Sequence, residues 1–89
     1  LIALEFDNRF KKAVIALDDV SRKRAQKVLK LFMENPRHPS LNFEVVLSSD
    51  SYFTIRVDRG RRILLEAIDI NTYRVFDVGS HDYIYRKYG

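Results

Sequence analysis

Arg56, Arg62, His81 and Tyr85 are the side chains of this sequence best suited to chemistry on an anion. Arginine offers a planar fork of donors that matches phosphate or carboxylate, and it stays charged at any working pH. Histidine has a reference pKa of about 6.5 and can carry a proton in either direction. A tyrosine one helical turn beyond the histidine adds an aromatic face and a hydroxyl. Arginine outnumbers lysine ten to six, and the arginines fill the later, strand-forming half while the lysines lie mainly before residue 31. Such a distribution favours recognition of phosphate or carboxylate over general solubility.

The arginine pair must be positioned by Ile55-Arg56-Val57-Asp58-Arg59-Gly60-Arg61-Arg62-Ile63-Leu64. Apolar residues alternate with arginine on both sides of Asp58-Arg59-Gly60, which predicts a β-hairpin. With those three residues as the loop, and Gly60 in a left-handed bulge position, Val57 faces Arg61 and Arg56 faces Arg62. Ile55 then faces Ile63 and Phe53 faces Leu65, giving one unbroken apolar face. A two-residue loop would mix the faces, so it is rejected. Like charges directly opposite repel, against an ordinary cross-strand gain of roughly 0.2–1 kcal/mol. An anion lying over the pair relieves that repulsion; the alternative is two guanidinium groups splayed into water. Arg59 and Arg61 of the turn join the expected substrate-binding set with Thr54 and Asp77.

The second positioning element is the last strand, expected over Tyr73 to Val78. A link of Asp69-Ile70-Asn71-Thr72 sets Leu65 opposite Phe76, Ile63 opposite Val78, Leu64 beside Asp77 and Arg62 beside Gly79. Asp82 is the expected cap of a final helix, Tyr83 to Tyr88, with His81 just before it. Arg56, Arg62, His81 and Tyr85 then share one neighbourhood, and Asp77 is placed to orient Arg62 or His81, or merely to balance charge.

The remaining elements are simpler. Leu1 to Phe6 reads as a strand. Asp7 caps a helix whose stripe is Phe10, Ala13, Val14 and Leu17. Asp18-Asp19 breaks it and starts a second helix with Ala25, Val28, Leu29 and Phe32 inward. Arg22, Lys23, Lys27 and Lys30 fall on its outer side, a solvated face or a partner-facing one. Asn35-Pro36 ends that helix. His38, beside a proline in a polar link, reads as an exposed loop residue. Leu41 to Leu47 is the next expected strand, with Phe43 and Val45 on one side and Asn42, Glu44 and Val46 on the other.

Eighty-nine residues suffice for a single domain, residues 1–89, with one core. A net charge of +4 suits a polyanionic partner. There is no cysteine, hence no disulfide or thiolate metal site, and a cytoplasmic setting is expected. No apolar run approaches a membrane span, and no signal-peptide pattern is present. A start at Leu1 without methionine and an end at Gly89 inside an expected helix are compatible with a piece of something longer. Gly-rich phosphate loops, HExxH and Gly-x-Ser-x-Gly are missing, so no cofactor and no metal are expected. Ser80-His81-Asp82 has triad residue types, but sequence neighbours do not form triad geometry.

The order helix, helix, four-stranded antiparallel run, short helix resembles the RelE/ParE superfamily of bacterial toxins. The most specific stretches are Asn35-Pro36, Pro39-Ser40-Leu41-Asn42-Phe43-Glu44, Ile55-Arg56-Val57 with Arg62-Ile63, and Val78-Gly79-Ser80-His81-Asp82 with Tyr85 three places on. The resemblance implies an α+β fold with an N-terminal helical hairpin on a mainly antiparallel, four- to five-stranded twisted sheet. It implies the toxin of a type II toxin–antitoxin, plasmid-stabilising module, wrapped by a cognate antitoxin. RelE-like members cut messenger RNA on the ribosome without a metal; ParE-like members inhibit DNA gyrase by binding it. A degenerate member would only bind its antitoxin. By the same resemblance Arg62 sits at a phosphate-binding arginine and Arg56 at a lysine of the active face. His81 occupies a position where some members have a catalytic histidine, and Tyr85 matches an aromatic four places later. Thr54 departs from the pattern, standing where RelE has a second lysine, with Glu44 and Glu66 as acidic neighbours. RNA cleavage of this kind requires a base for the 2′-hydroxyl, cations for the phosphorane charge and an acid for the 5′-oxygen. His81 is the proton carrier, the arginines supply the cations, and Tyr85 stacks on a base, donates to phosphate or simply packs on the sheet.

Overall fold

In a computed structural model of the chain, residues 1–46 and 48–89 are described. Side-chain carboxylates start the first two helices. Asp7 Oδ1 accepts from the Arg9 amide (2.8 Å) ahead of α1 (Asn8–Ile15), and Asp18 Oδ2 accepts from the Ser21 amide (3.3 Å) ahead of α2 (Asp19–Glu34). Each satisfies an amide that the helix itself leaves unpaired. Arg22 then closes the far end of α1, its Nη2 donating to the carbonyls of Leu17 (2.7 Å) and Ile15 (3.3 Å). Asn35 caps the end of α2, as the following proline requires.

The strands are β1 (Ala3–Phe6), β2 (Glu44–Val45), β3 (Tyr52–Arg56), β4 (Arg61–Asp69) and β5 (Thr72–Ser80), and the chain closes with α3 (His81–Tyr88). They form one five-stranded sheet in the order β1-β5-β4-β3-β2, antiparallel except for β1 alongside β5. Among the described residues no helix is long and apolar enough to cross a membrane.

Both sheet faces are covered, which explains the continuous apolar run Ile63-Leu64-Leu65 in central β4. On one face α1 and α2 bury Phe10, Ala25, Leu29 and Phe32 against Ile55, Ile63, Leu65 and Val75. On the other, α3 lays Ile84 over Leu64 and Val46, ringed by Tyr52, Phe76, Tyr83, Tyr85 and Tyr88. Full burial of a side chain such as Leu64 or Ile84 contributes about 1.5–3 kcal/mol.

The β3–β4 register is the expected one: Arg56 faces Arg62, Ile55 faces Ile63 and Phe53 faces Leu65. On the β4–β5 side Arg62 faces Gly79, Ile63 faces Val78 and Leu64 faces Asp77. Beyond that point a bulge intervenes, and Leu65 faces Val75 instead of Phe76. The extra residue keeps Phe76 and Asp77 together on the α3 side.

Four local expectations are corrected. Gly60 has no left-handed φ, because Asp58 Oδ1 accepts from the amides of Gly60 and Arg61 (both 3.0 Å) and makes the turn by itself. Ser80, not Asp82, caps α3 through the Tyr83 amide (3.0 Å), so His81 is the first helical residue. β5 runs through Ser80, longer than the expected Tyr73 to Val78. The expected strand from Leu41 shrinks to Glu44–Val45, because Pro39–Leu41 forms a 3-10 turn and Asn42 takes a left-handed conformation (φ 46°). Leu47 lies outside the described residues.

Candidate functional site

Strand alternation places Thr54 and Arg56 of β3 on the α3 face, and pairing brings Arg62 of β4 beside Arg56. The two guanidinium groups are held differently. Arg62 Nη1 donates to the carbonyls of Asp58 (2.9 Å) and Arg61 (3.0 Å) and, more loosely, of Arg59 (3.4 Å). Arg62 is thus braced against the hairpin tip. Arg56 is exposed, and among the described residues no carboxylate pairs with either arginine.

His81 enters from β5. Its amide donates to the Gly60 carbonyl (2.8 Å), which ties the start of α3 to the hairpin tip. Its imidazole lies 4.6 Å from the Tyr85 ring, centroid to centroid, with Nδ1 3.5 Å from Asp82 Oδ1. The Tyr85 hydroxyl reaches back over the sheet to Thr54 Oγ1 (2.9 Å) and Glu44 Oε2 (3.2 Å). Beside that contact an open cleft of about 490 Å³ is lined by Glu44, Val45, Tyr85 and Gly89.

So Arg56, Arg62, His81 and Tyr85 stand at one end of one sheet face. The other four expected residues do different work. Thr54 is 1% exposed and lies beneath Tyr85, which removes it from direct substrate contact. Asp77 is equally buried: Oδ2 accepts from the hydroxyls of Tyr83 (2.7 Å) and Tyr88 (2.5 Å), and Oδ1 from the Val78 amide (2.9 Å). It anchors α3 to the sheet and orients neither Arg62 nor His81. Arg61 turns toward the helices, within 3.9 Å of Asp18 and 3.8 Å of Asp58. Arg59 is exposed at the hairpin tip.

Glu44 is the carboxylate of the site, whereas Glu66 pairs with Arg74 (3.2 Å). Both were expected as acidic neighbours of Thr54, and the β2–β3 pairing is what sets Glu44 directly opposite it. Among the described residues, no three His, Cys, Asp or Glu side chains converge as metal ligands.

An imidazole on the Tyr85 ring, at the end of the sheet face where two arginines pair, is suited to bind an anion and move a proton at it. No family model matches the sequence, and no curated protein matches it either. Solved structures do match the fold. The isolated Escherichia coli RelE toxin superimposes with a TM-score of 0.70 at 24% identity, covering 90% of this chain and 84% of that one. YafQ from Escherichia coli BL21(DE3) gives 0.76 at 15% identity, over 96% and 99% of the two chains. A chain of the RelB–RelE antitoxin–toxin complex from Methanococcus jannaschii gives 0.73 at 19%, over 94% and 98%. The chain shares the fold of these solved proteins. The anticipated α+β architecture with its short C-terminal helix is therefore present, and its sheet has five strands.

Proposed function

We propose that this chain is the toxin of a type II toxin–antitoxin module and that it cuts messenger RNA on the ribosome, in the cytoplasm, by metal-independent phosphodiester cleavage. The observation that carries the reading is the His81 imidazole resting on Tyr85 at the end of the sheet face where Arg56 and Arg62 lie side by side. Support comes also from the shared fold, since solved proteins with it include toxins in complex with their antitoxins.

In this reading the arginines bind the scissile phosphate and take up charge as the phosphorane forms; removing one such donor typically costs roughly 2.7–4 kcal/mol of transition-state stabilisation. The 2′-oxygen attacks phosphorus as its proton passes to a base, the bond to the 5′-oxygen breaks, and that oxygen takes up a proton. His81 is the group that moves protons here. Its Nδ1 faces Asp82, which leaves Nε2 for the substrate. Tyr85 is a platform, its own proton being directed to Glu44. A cognate antitoxin would hold the toxin silent.

Induction of the wild type, Arg56→Ala and His81→Ala in a bacterial host, with mapping of messenger RNA ends and a plasmid supercoiling assay, tests this. Codon-phased cuts that disappear in both variants are expected. Intact RNA with altered supercoiling would replace the nuclease by a gyrase inhibitor. Unaffected growth with every form would leave only an antitoxin-binding protein.

A further inference from the structure

The imidazole of His81 is exposed (53%), and its side-chain polar contact, Asp82, is itself 92% exposed. Within α3 its other neighbour is the Tyr85 ring one turn on, 4.6 Å away. What it rests on is the Tyr85 ring, and that ring is fixed from the opposite side of the site. A carboxylate only accepts hydrogen bonds, so the single phenolic proton of Tyr85 goes to Glu44 Oε2 (3.2 Å), and the phenolic oxygen accepts from the Thr54 hydroxyl (2.9 Å). Glu44 is fixed in turn: it lies directly across from Thr54, and its Oε1 accepts from Asn42 Nδ2 (3.0 Å). Asn42 itself holds the left-handed backbone conformation that asparagine tolerates better than most residues.

We propose that Glu44 is a positioning residue: it holds the Tyr85 ring, and through it the His81 imidazole, at the end of the sheet face that carries Arg56 and Arg62. The proposal takes His81 as the proton carrier and so rests on the nuclease reading. Glu44 touches no reacting atom in this scheme. Its carboxylate sets the direction of the phenol's hydrogen bond and keeps Tyr85 from donating to the substrate phosphate.

Cleavage of ribosome-bound messenger RNA by the full chain measures the effect. Glu44→Ala is expected to lower kcat about tenfold with KM within about twofold, as loss of alignment does. Tyr85→Phe should cost at least as much, since it also removes the bond from Thr54, and the double variant no more than Tyr85→Phe, because the Glu44–Tyr85 bond is already gone. Glu44→Gln should restore cleavage to within about threefold, since an amide oxygen still accepts the phenolic proton. A Gln variant as slow as Ala, with the acidic limb of the pH profile gone, would make the carboxylate a proton carrier and overturn the proposal. Nuclear Overhauser contacts between the His81 and Tyr85 rings supply a readout independent of cleavage. They should be present in the wild type and lost in Glu44→Ala; persistence in Glu44→Ala overturns the proposal whether or not the chain cuts RNA. A wild type that leaves RNA intact, yet loses the ring contact in Glu44→Ala, ends the nuclease reading while upholding the hold of Glu44 on His81.

Discussion

The carbonyl of Gly60, at the tip of the β3–β4 hairpin, accepts a 2.8 Å hydrogen bond from the amide of His81, the first residue of α3. This one bond joins the element that carries the arginines to the element that carries the imidazole. The glycine takes part through its backbone alone: a Cβ there would meet nothing within 4 Å, and its φ is not positive.

Gly60→Ala is therefore expected to leave the fold intact and to stabilise it by about 0.4–1 kcal/mol, through a less mobile unfolded chain. Asp58→Ala should instead cost about 1–2 kcal/mol, since Oδ1 serves two turn amides. Urea denaturation of the two variants checks both. A destabilised Gly60→Ala would show that the turn needs glycine after all.

Asp77 is the anchor of α3. Its replacement by Ala strips the acceptor from two phenols, and a loss of roughly 3 kcal/mol is expected from bonds made to a charged group. Gly79→Ala attacks the same joint from the side, because its Cβ would lie 2.5 Å from Tyr83 Cδ2 and push that ring away from Asp77. Overpacking of this sort costs about 1–3 kcal/mol. Thermal melts of Asp77→Ala and Gly79→Ala should both fall, with Asp77→Ala the lower.

Burial, reinforced by the hydrogen bond and charge of Asp77, pushes the Tyr88 phenol well above its ordinary range. The folded chain thus holds a proton that the unfolded chain releases near pH 10. The stabilisation is fully present below that pH and is lost as pH rises through the folded value. A spectrophotometric tyrosine titration should show one late-ionising phenol in the wild type that is missing in Tyr88→Phe. Tyr88→Phe should also lose stability at neutral pH and converge with the wild type in strong alkali.

Arg56 and Arg62 face each other but should respond differently to removal. Arg56→Ala relieves a like-charge pair and should raise stability by up to about 1 kcal/mol. Arg62→Ala loses the brace against the hairpin carbonyls and should lower it by roughly 1–2 kcal/mol. RNA affinity should weaken in Arg56→Ala, with the slope of log affinity against log salt reduced by about one. An unchanged slope would mean that Arg56 meets no phosphate.

Much of this fold is local, and local features are legible in a sequence. Asp7 and Asp18 cap their helices because a carboxylate finds amides two or three residues ahead, whatever the rest of the chain does. The facing of Arg56 and Arg62 follows from apolar alternation on either side of a turn, since any slip by one residue would expose Ile55 and Ile63. The tertiary structure decided the rest. Asp77 and Thr54 have polar side chains that suit a ligand, and only the docking of α3 buries them beneath tyrosines. Glu44 joins the site from a strand of only two residues, because Thr54 is its partner across the sheet and Tyr85 reaches it from the last helix. Burial and hydrogen bonding between distant segments depend on which surfaces meet. That choice is made by the whole core and not by neighbours along the chain.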